Sequence, residues 1–178
     1  MTQEIDITEA SVYVGTYHKY NNGSLYGKWL KLGDYADKDD FYDACNELHK
    51  DEDEPEMMFQ DYENIPEGLI KEYWISEKVF EIIEAFANMD ESQKDPFLIW
   101  CTNKHYQLLK EDINDLISSF QDDYIGEYDS EEDFALELIE LRDDLNEFAK
   151  RYFDYKAYAN DIFCSDYWYD NGFVFYNS

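Results

Sequence analysis

The stretch Glu111–Leu141, EDINDLISSFQDDYIGEYDSEEDFALELIEL, constrains this chain more than any other. It carries twelve carboxylates and neither lysine nor arginine. An acidic tail of that charge density lacks large apolar residues. This one also holds Ile113, Leu116, Ile117, Phe120, Tyr124, Ile125, Tyr128, Phe134, Leu136, Leu138, Ile139 and Leu141. It must therefore fold while remaining strongly negative.

Its second half shows how both demands can be met. Phe134, Leu138, Leu141, Leu145, Phe148 and Tyr152 recur at alternating steps of four and three, the spacing of one helix face, or of two helices nearly in line. Asp133, Glu137, Glu140, Asp144 and Glu147 follow the same rhythm, each one position before an apolar residue. The acids should form a stripe roughly 100° from the apolar one. Like charges at i,i+4 cost a helix a few tenths of a kcal/mol per pair. Such a stripe points to a functional negative surface or to adaptation to salt, and spacing does not decide between them. The apolar stripe reads mainly as core.

Across 178 residues there are 43 acids and 14 bases, a formal charge of −29, with 44% hydrophobic and 19% aromatic residues. Such a chain can bury a core. Its charge excludes ordinary nucleic-acid binding, which needs a basic footprint, and disfavours anionic membranes. A partner chosen by electrostatics is basic. Crowded carboxylates should titrate above their ordinary range, so salt and mild acid should stabilise the fold. Cys45, Cys101 and Cys164 are odd in number and far apart, which suggests neither a disulfide framework nor a zinc site. No run reaches the roughly 18 apolar residues of a transmembrane helix, and MTQEIDITEA lacks the features of a signal peptide. A soluble cytoplasmic protein is expected.

Residues 1–10 read as a polar extension. Val12–Tyr17 and Leu25–Leu32, joined through Asn21-Asn22-Gly23, read as a hairpin. Asp37 should cap a helix burying Phe41, Ala44, Cys45 and Leu48, which Pro55 cannot extend. Met57–Tyr62 suggests a strand. Helices are expected from Ser76, from Asp95-Pro96 with proline in the first turn, and over Ile113–Phe120. A further helix is expected with Asp144 as cap, and another around Tyr155–Ile162. Asp170-Asn171-Gly172 should turn the chain into a last strand at Phe173–Tyr176. The expected class is α+β, with soft domain boundaries near 75 and 107.

No catalytic constellation, metal site or cofactor motif stands out. The glycines form no phosphate loop. Cys45 and His49, at i,i+4, are the one pair from which an enzyme could be argued.

One magnitude bears on the acids. Duplex DNA carries one charge per about 1.7 Å of axis, so a charge of −29 matches about 49 Å of duplex. A folded acidic protein can thus offer a DNA-like field to a DNA-binding groove.

Four segments then carry a family resemblance: VYVGTYHKYNNGSLYGKWLKL, FYDACNELHKDEDEPEMMFQDYENIP, GEYDSEEDFALELIEL and YFDYKAYANDIFCSDYWYDNGFVF. Together they resemble ArdA-type antirestriction proteins over roughly Ser11 to Tyr176. The resemblance implies a DNA mimic encoded on mobile elements, not an enzyme, that binds the methyltransferase core of type I restriction–modification enzymes. It implies an elongated molecule of three small domains, here 1–75 (α+β), 76–107 (helical) and 108–178 (α+β), that dimerises through the last, with Leu138, Leu141, Leu145 and Phe148 of the apolar stripe as candidates for the seam. The family's antirestriction motif is similar to Phe134–Phe148, with Asn146 where relatives commonly carry proline. On this reading the mimic surface comprises Asp115, Asp122, Asp123, Glu127, Asp129, Glu131, Glu132, Asp133, Glu137, Glu140, Asp144 and Glu147. The alternative is a halotolerant structural or adaptor protein whose charge only solubilises it.

Overall fold

The structure is a computed structural model that describes residues 5–178. It is a mixed α+β protein whose contacts group it into two compact units. One runs up to Lys94 and takes in Gln107–Ile113; the other comprises Asp95–Tyr106 and Asn114–Ser178.

In the first unit, β1 (Ser11–Thr16) lies between β2 (Lys28–Lys31) and β3 (Met57–Glu63), antiparallel to both. The expected hairpin is interrupted. A short helix α1 (Tyr17–Asn21) follows β1, because the Thr16 hydroxyl caps it by accepting from the Lys19 amide. Gly23, at φ 79°, then turns the chain, and β2 begins only at Lys28. Asp37 caps α2 (Lys38–Leu48) as its spacing predicts, accepting from the Asp40 amide at 2.9 Å. A small hairpin of β4 (Ile70–Lys71) and β5 (Trp74–Ile75) leads to α3 (Lys78–Asn88). Phe41 of α2 is fully buried, with the Phe59 and Phe80 rings 5.8 Å away. Residues 1–4 of the expected polar extension lie outside the described residues. From Ile7, which opens a 3-10 turn, the chain is packed, and both Ile7 and Ala10 are buried.

Helix α4 runs Glu91–Asn103, so it starts earlier than Asp95 and carries Pro96 inside it, buried. In the second unit α5 (Ile113–Asp123) leads directly into β6 (Tyr124–Glu127). Then come α6 (Glu131–Glu140), α7 (Glu147–Arg151), α8 (Tyr155–Ser165), β7 (Tyr167–Asp170) and β8 (Phe173–Tyr176). Asn171 (φ 50°) and Gly172 (φ 90°) make the two-residue turn of the β7–β8 hairpin. The sheet order is β6-β8-β7. Central β8 is buried on both faces. Val174 joins Phe134 and Ala135 of α6 with Ala159 and Ile162 of α8. Phe175 stacks on Trp168 at 4.0 Å and meets Phe120 and Tyr124 on the other side.

The continuous apolar stripe breaks at Leu141. Asn146, not Asp144, restarts the helix by accepting from the Ala149 amide at 2.8 Å. Asp144 is held elsewhere, in a two-pronged pair with Arg142 at 2.8 and 2.6 Å. Phe134 is core and Leu138 and Leu145 are half-buried, but Leu141, Phe148 and Tyr152 are 72, 73 and 71% exposed. Mostly core is thus the wrong reading of that stripe past Ile139.

Candidate functional site

Helix α6 is the best-defined part of the acidic surface. Ser130 caps it, accepting from the Asp133 amide at 3.1 Å and donating to the Asp133 carboxylate at 2.7 Å. Three acids, Glu131, Glu132 and Asp133, fill its first turn, where the helix dipole favours negative charge. Its buried arc is Phe134, Ala135 and Ile139 with half-buried Leu138. Because Ala135 and Ile139 join that arc, Asp133, Glu137 and Glu140 lie nearly opposite the core rather than beside it. Packing by α8 and β8 therefore fixes the helix so that the acids point to water.

The other expected acids fall around it. Asp115 and Asp122 are exposed on α5, Glu127 at the end of β6, Asp129 in the following loop, Asp144 in the α6–α7 connection and Glu147 in the first turn of α7. Glu131 is half-exposed. Asp123 is the exception, being only 8% exposed. It accepts from Trp100 Nε1 and from Ser178 Oγ, both at 2.8 Å, and Lys104 Nζ is 3.7 Å away. That acid ties α4 to α5 and does not belong to the exposed surface. Sequence reasoning also passed over Asp161 and Asp166, exposed on and just after α8. Each precedes an apolar residue, Ile162 or Tyr167, which is the pattern used for the stripe.

Few cations answer these charges. Among the described residues no ion pair reaches the carboxylates of α6. Tyr128 contacts Glu137 instead: burial and that hydrogen bond push the phenol up to about 12, so it stays a neutral donor. Arg142 holds the Asp144 carboxyl below the usual range.

The first unit treats its acids differently. Lys19 Nζ lies 2.8 Å from Asp51 and 3.3 Å from Glu52, and the Thr16 hydroxyl donates to Glu52 at 2.7 Å. Burial pushes Glu52 up, but the Thr16 and Lys19 hydrogen bonds outweigh it and leave it lowered. The Lys19 hydrogen bond lowers Asp51. Crowding predicts raised carboxylate values, but Asp51, Glu52 and Asp144 go down instead, because each has a cation beside it.

The Cys45–His49 pair offers no dyad. Burial pushes the Cys45 thiol up to about 12, so it stays protonated. Both nitrogens of the fully buried His49 are committed. An ammonium can only donate, so Nδ1 accepts from Lys19 Nζ at 2.9 Å, and Nε2–H donates to the Val14 carbonyl at 3.1 Å. Among the described residues no group of three or more His, Cys, Asp or Glu could hold a metal ion, and no helix is long and apolar enough to cross a membrane.

What remains is the exposed acidic surface around α6. Comparison with curated proteins gives no match. The model of the antirestriction protein (ArdA) family matches residues 12–175, nearly the whole chain. This chain belongs to the ArdA family of antirestriction proteins.

Proposed function

We propose that this protein is an acidic DNA mimic that occupies the DNA-binding groove of a type I restriction–modification enzyme, on its methyltransferase core. One observation carries the reading: α6 holds Asp133, Glu137 and Glu140 in water opposite the core, with Glu132 exposed beside them, no ion pair among the described residues reaching them, and Glu127, Asp129 and Glu147 flanking them. Along a helix such charges advance about 5 Å per turn, against about 3.4 Å per phosphate on one DNA strand. The spacings are of the same order, so lysines and arginines placed for phosphates can meet carboxylates. No single carboxylate is indispensable in such a field.

The mimic works as a homodimer. Two chains of charge −29 repel, so they can touch only where charge is locally balanced. Residues 141–156 offer that: Asp143, Asp144, Glu147 and Asp154 are matched by Arg142, Lys150, Arg151 and Lys156. The exposed Leu141, Phe148 and Tyr152 lie in the same stretch, with the Phe148 and Tyr152 rings 5.0 Å apart. Leu138 and Leu145, half-buried, contribute less. The reading carries with it an elongated dimer with domain boundaries near 75 and 107.

The experiment is competition at low salt. Purified protein is titrated into a type I methyltransferase core holding labelled duplex. Displacement of the duplex that weakens as salt rises supports the mimic. No displacement at any salt leaves a merely solubilising charge.

A further inference from the structure

Two acids of α6 are held by hydroxyl groups. The Ser130 hydroxyl donates to the Asp133 carboxylate at 2.7 Å, and the Tyr128 hydroxyl donates to the Glu137 carboxylate one helical turn further on. A lysine or arginine in the same place would also fix the carboxylate, but it would answer the charge, as Lys19 does for Asp51 and Glu52. A neutral hydroxyl fixes it and leaves the full negative charge. Ser130 has a second task, since it caps the helix. Tyr128 lies ahead of the cap, in the connection between β6 and α6, and its hydroxyl plays no part in capping.

The tyrosine is itself held from three sides. Its ring meets the buried Phe134 ring edge to face at 5.0 Å. Its amide donates to the carbonyl of Gly172, in the turn between β7 and β8, at 2.8 Å. Its carbonyl accepts from the Tyr169 hydroxyl of β7 at 3.1 Å, and the same hydroxyl lies 3.2 Å from the Asp129 carbonyl. A donor seated in this way stays in place, and the longer, exposed Glu137 side chain comes to it. Burial and the Glu137 contact push the phenol up to about 12, so it remains a donor at neutral pH. A carboxylate has about four lone-pair sites, and the phenol takes one, so the others stay open to a partner.

We propose that Tyr128 is a positioning residue of the mimic surface, whose hydroxyl holds the Glu137 carboxylate in one place for a lysine or arginine of the DNA-binding groove. The inference rests on the mimic reading for the identity of the partner. Phosphates sit at set places along a duplex, whereas a glutamate side chain has several rotatable bonds and must be ordered on binding, which costs affinity. Tyr128 meets that cost in the folded protein, before the partner arrives. Charge and position then separate. The number of carboxylates governs how steeply binding falls with salt, and the hydroxyl governs how well one of them is placed.

The test measures binding of the full chain to a purified type I methyltransferase core from low to physiological salt, for wild type, Tyr128→Phe, Glu137→Ala and the double variant. Tyr128→Phe keeps the ring against Phe134 and removes only the hydroxyl. It is expected to bind about two- to tenfold more weakly, by the same factor at every salt, leaving the slope of log Kd against log salt unchanged. Glu137→Ala removes a charge and should lower that slope. Once Glu137 is gone, Tyr128→Phe should have no further effect, because the hydroxyl acts only through that carboxylate. Glu137→Asp keeps the charge but draws it back from the hydroxyl by one methylene. It should match Tyr128→Phe, and it serves alone if circular dichroism melts show Tyr128→Phe unfolded. Wild-type affinity in Tyr128→Phe, or in Glu137→Asp where that serves alone, overturns the inference while leaving the mimic intact. An equal loss with and without Glu137, or a loss that comes with a changed mass in light scattering, also overturns it, by making Tyr128 a structural residue only. Failure of the wild type itself to bind removes the mimic reading and this inference with it.

Discussion

Two acidic regions of this molecule use carboxylates in opposite ways. In the first unit, Asp51 and Glu52 converge on Lys19, which also holds a neutral His49 against β1. These acids are fastened, and their charge is answered locally. On α6, Glu132, Asp133, Glu137 and Glu140 share a helix that no ion pair among the described residues reaches, and it is the apolar side of the helix that fixes them. The same residue type is a structural fastener in one place and a source of field in the other. What separates the two is whether a cation lies within reach, not the local density of acids. Asp123, in the midst of the acidic stretch, behaves as a fastener because Trp100 and Lys104 face it.

The sharpest way to break this contrast is to remove the fastening cation. Lys19→Met leaves buried His49 Nδ1 without its donor and Glu52 without its cation, with only the Thr16 hydroxyl still donating to Glu52. It should cost about 3 kcal/mol in chemical denaturation. Equal stability of variant and wild type would show that Asp51 and Glu52 are no more fastened than the acids of α6.

Acid should act next, and on the fastened region first. Asp51 and Glu52 are lowered, so their contribution is present above the ordinary carboxylate range near pH 4 and is lost as pH falls through their lowered values. Lys19 is raised: burial lowers it, but Asp51 and Glu52 outweigh that, so its contribution persists until pH rises above the ordinary lysine range. Hydrogen exchange should therefore show α1 and the Asp51–Glu56 loop opening below about pH 4. Persistent protection there at pH 3 would contradict the clamp.

Salt distinguishes the regions the other way. Raising it from about 0.01 to 0.1 M shortens the screening length from about 30 to about 10 Å. Self-repulsion weakens, and the melting temperature should rise by a few degrees. A fall would mean that paired charges, not unpaired ones, dominate the whole chain.

The smallest effect lies within α6. Glu140→Gln, at the C-terminal end of the helix, should stabilise by a few tenths of a kcal/mol, since it removes a charge the dipole disfavours. Glu132→Gln, in the first turn, should destabilise by a similar amount. Both are read from thermal melts, and equal signs would remove the dipole from the account.

Much of this was legible in the residues. Asp37 caps α2, and the Asp170-Asn171-Gly172 turn and the strand after it stand where turn chemistry puts them. The exposed acids follow from their position beside apolar residues. What the pattern hid was decided by partners distant in sequence. Helical spacing runs on through Leu141, Leu145 and Phe148, while the chain breaks there because Arg142 takes Asp144 and Asn146 caps the next turn. The hint was a run of turn-forming Asp143, Asp144 and Asn146. Likewise β6 pairs with β8 nearly fifty residues later, and no local period could reveal it. Asp123 looks like its neighbours in sequence, and only its contacts with Trp100 and Ser178 set it apart.

The claim at the centre is that inhibition arises from a distributed field. It is tested by a ladder of Asp→Asn and Glu→Gln changes accumulated one at a time along Glu127, Asp129, Glu132, Asp133, Glu137, Glu140 and Glu147. Binding to a type I methyltransferase core is measured at fixed salt, with mass and fold checked at each rung. An exposed ion pair contributes about 0.2–1 kcal/mol, so each rung should weaken binding by a factor of about 1.4 to 5. A smooth decline is the predicted result. Abolition of binding at one conservative change, with fold and dimer intact, would contradict it and point to a specific site at that residue.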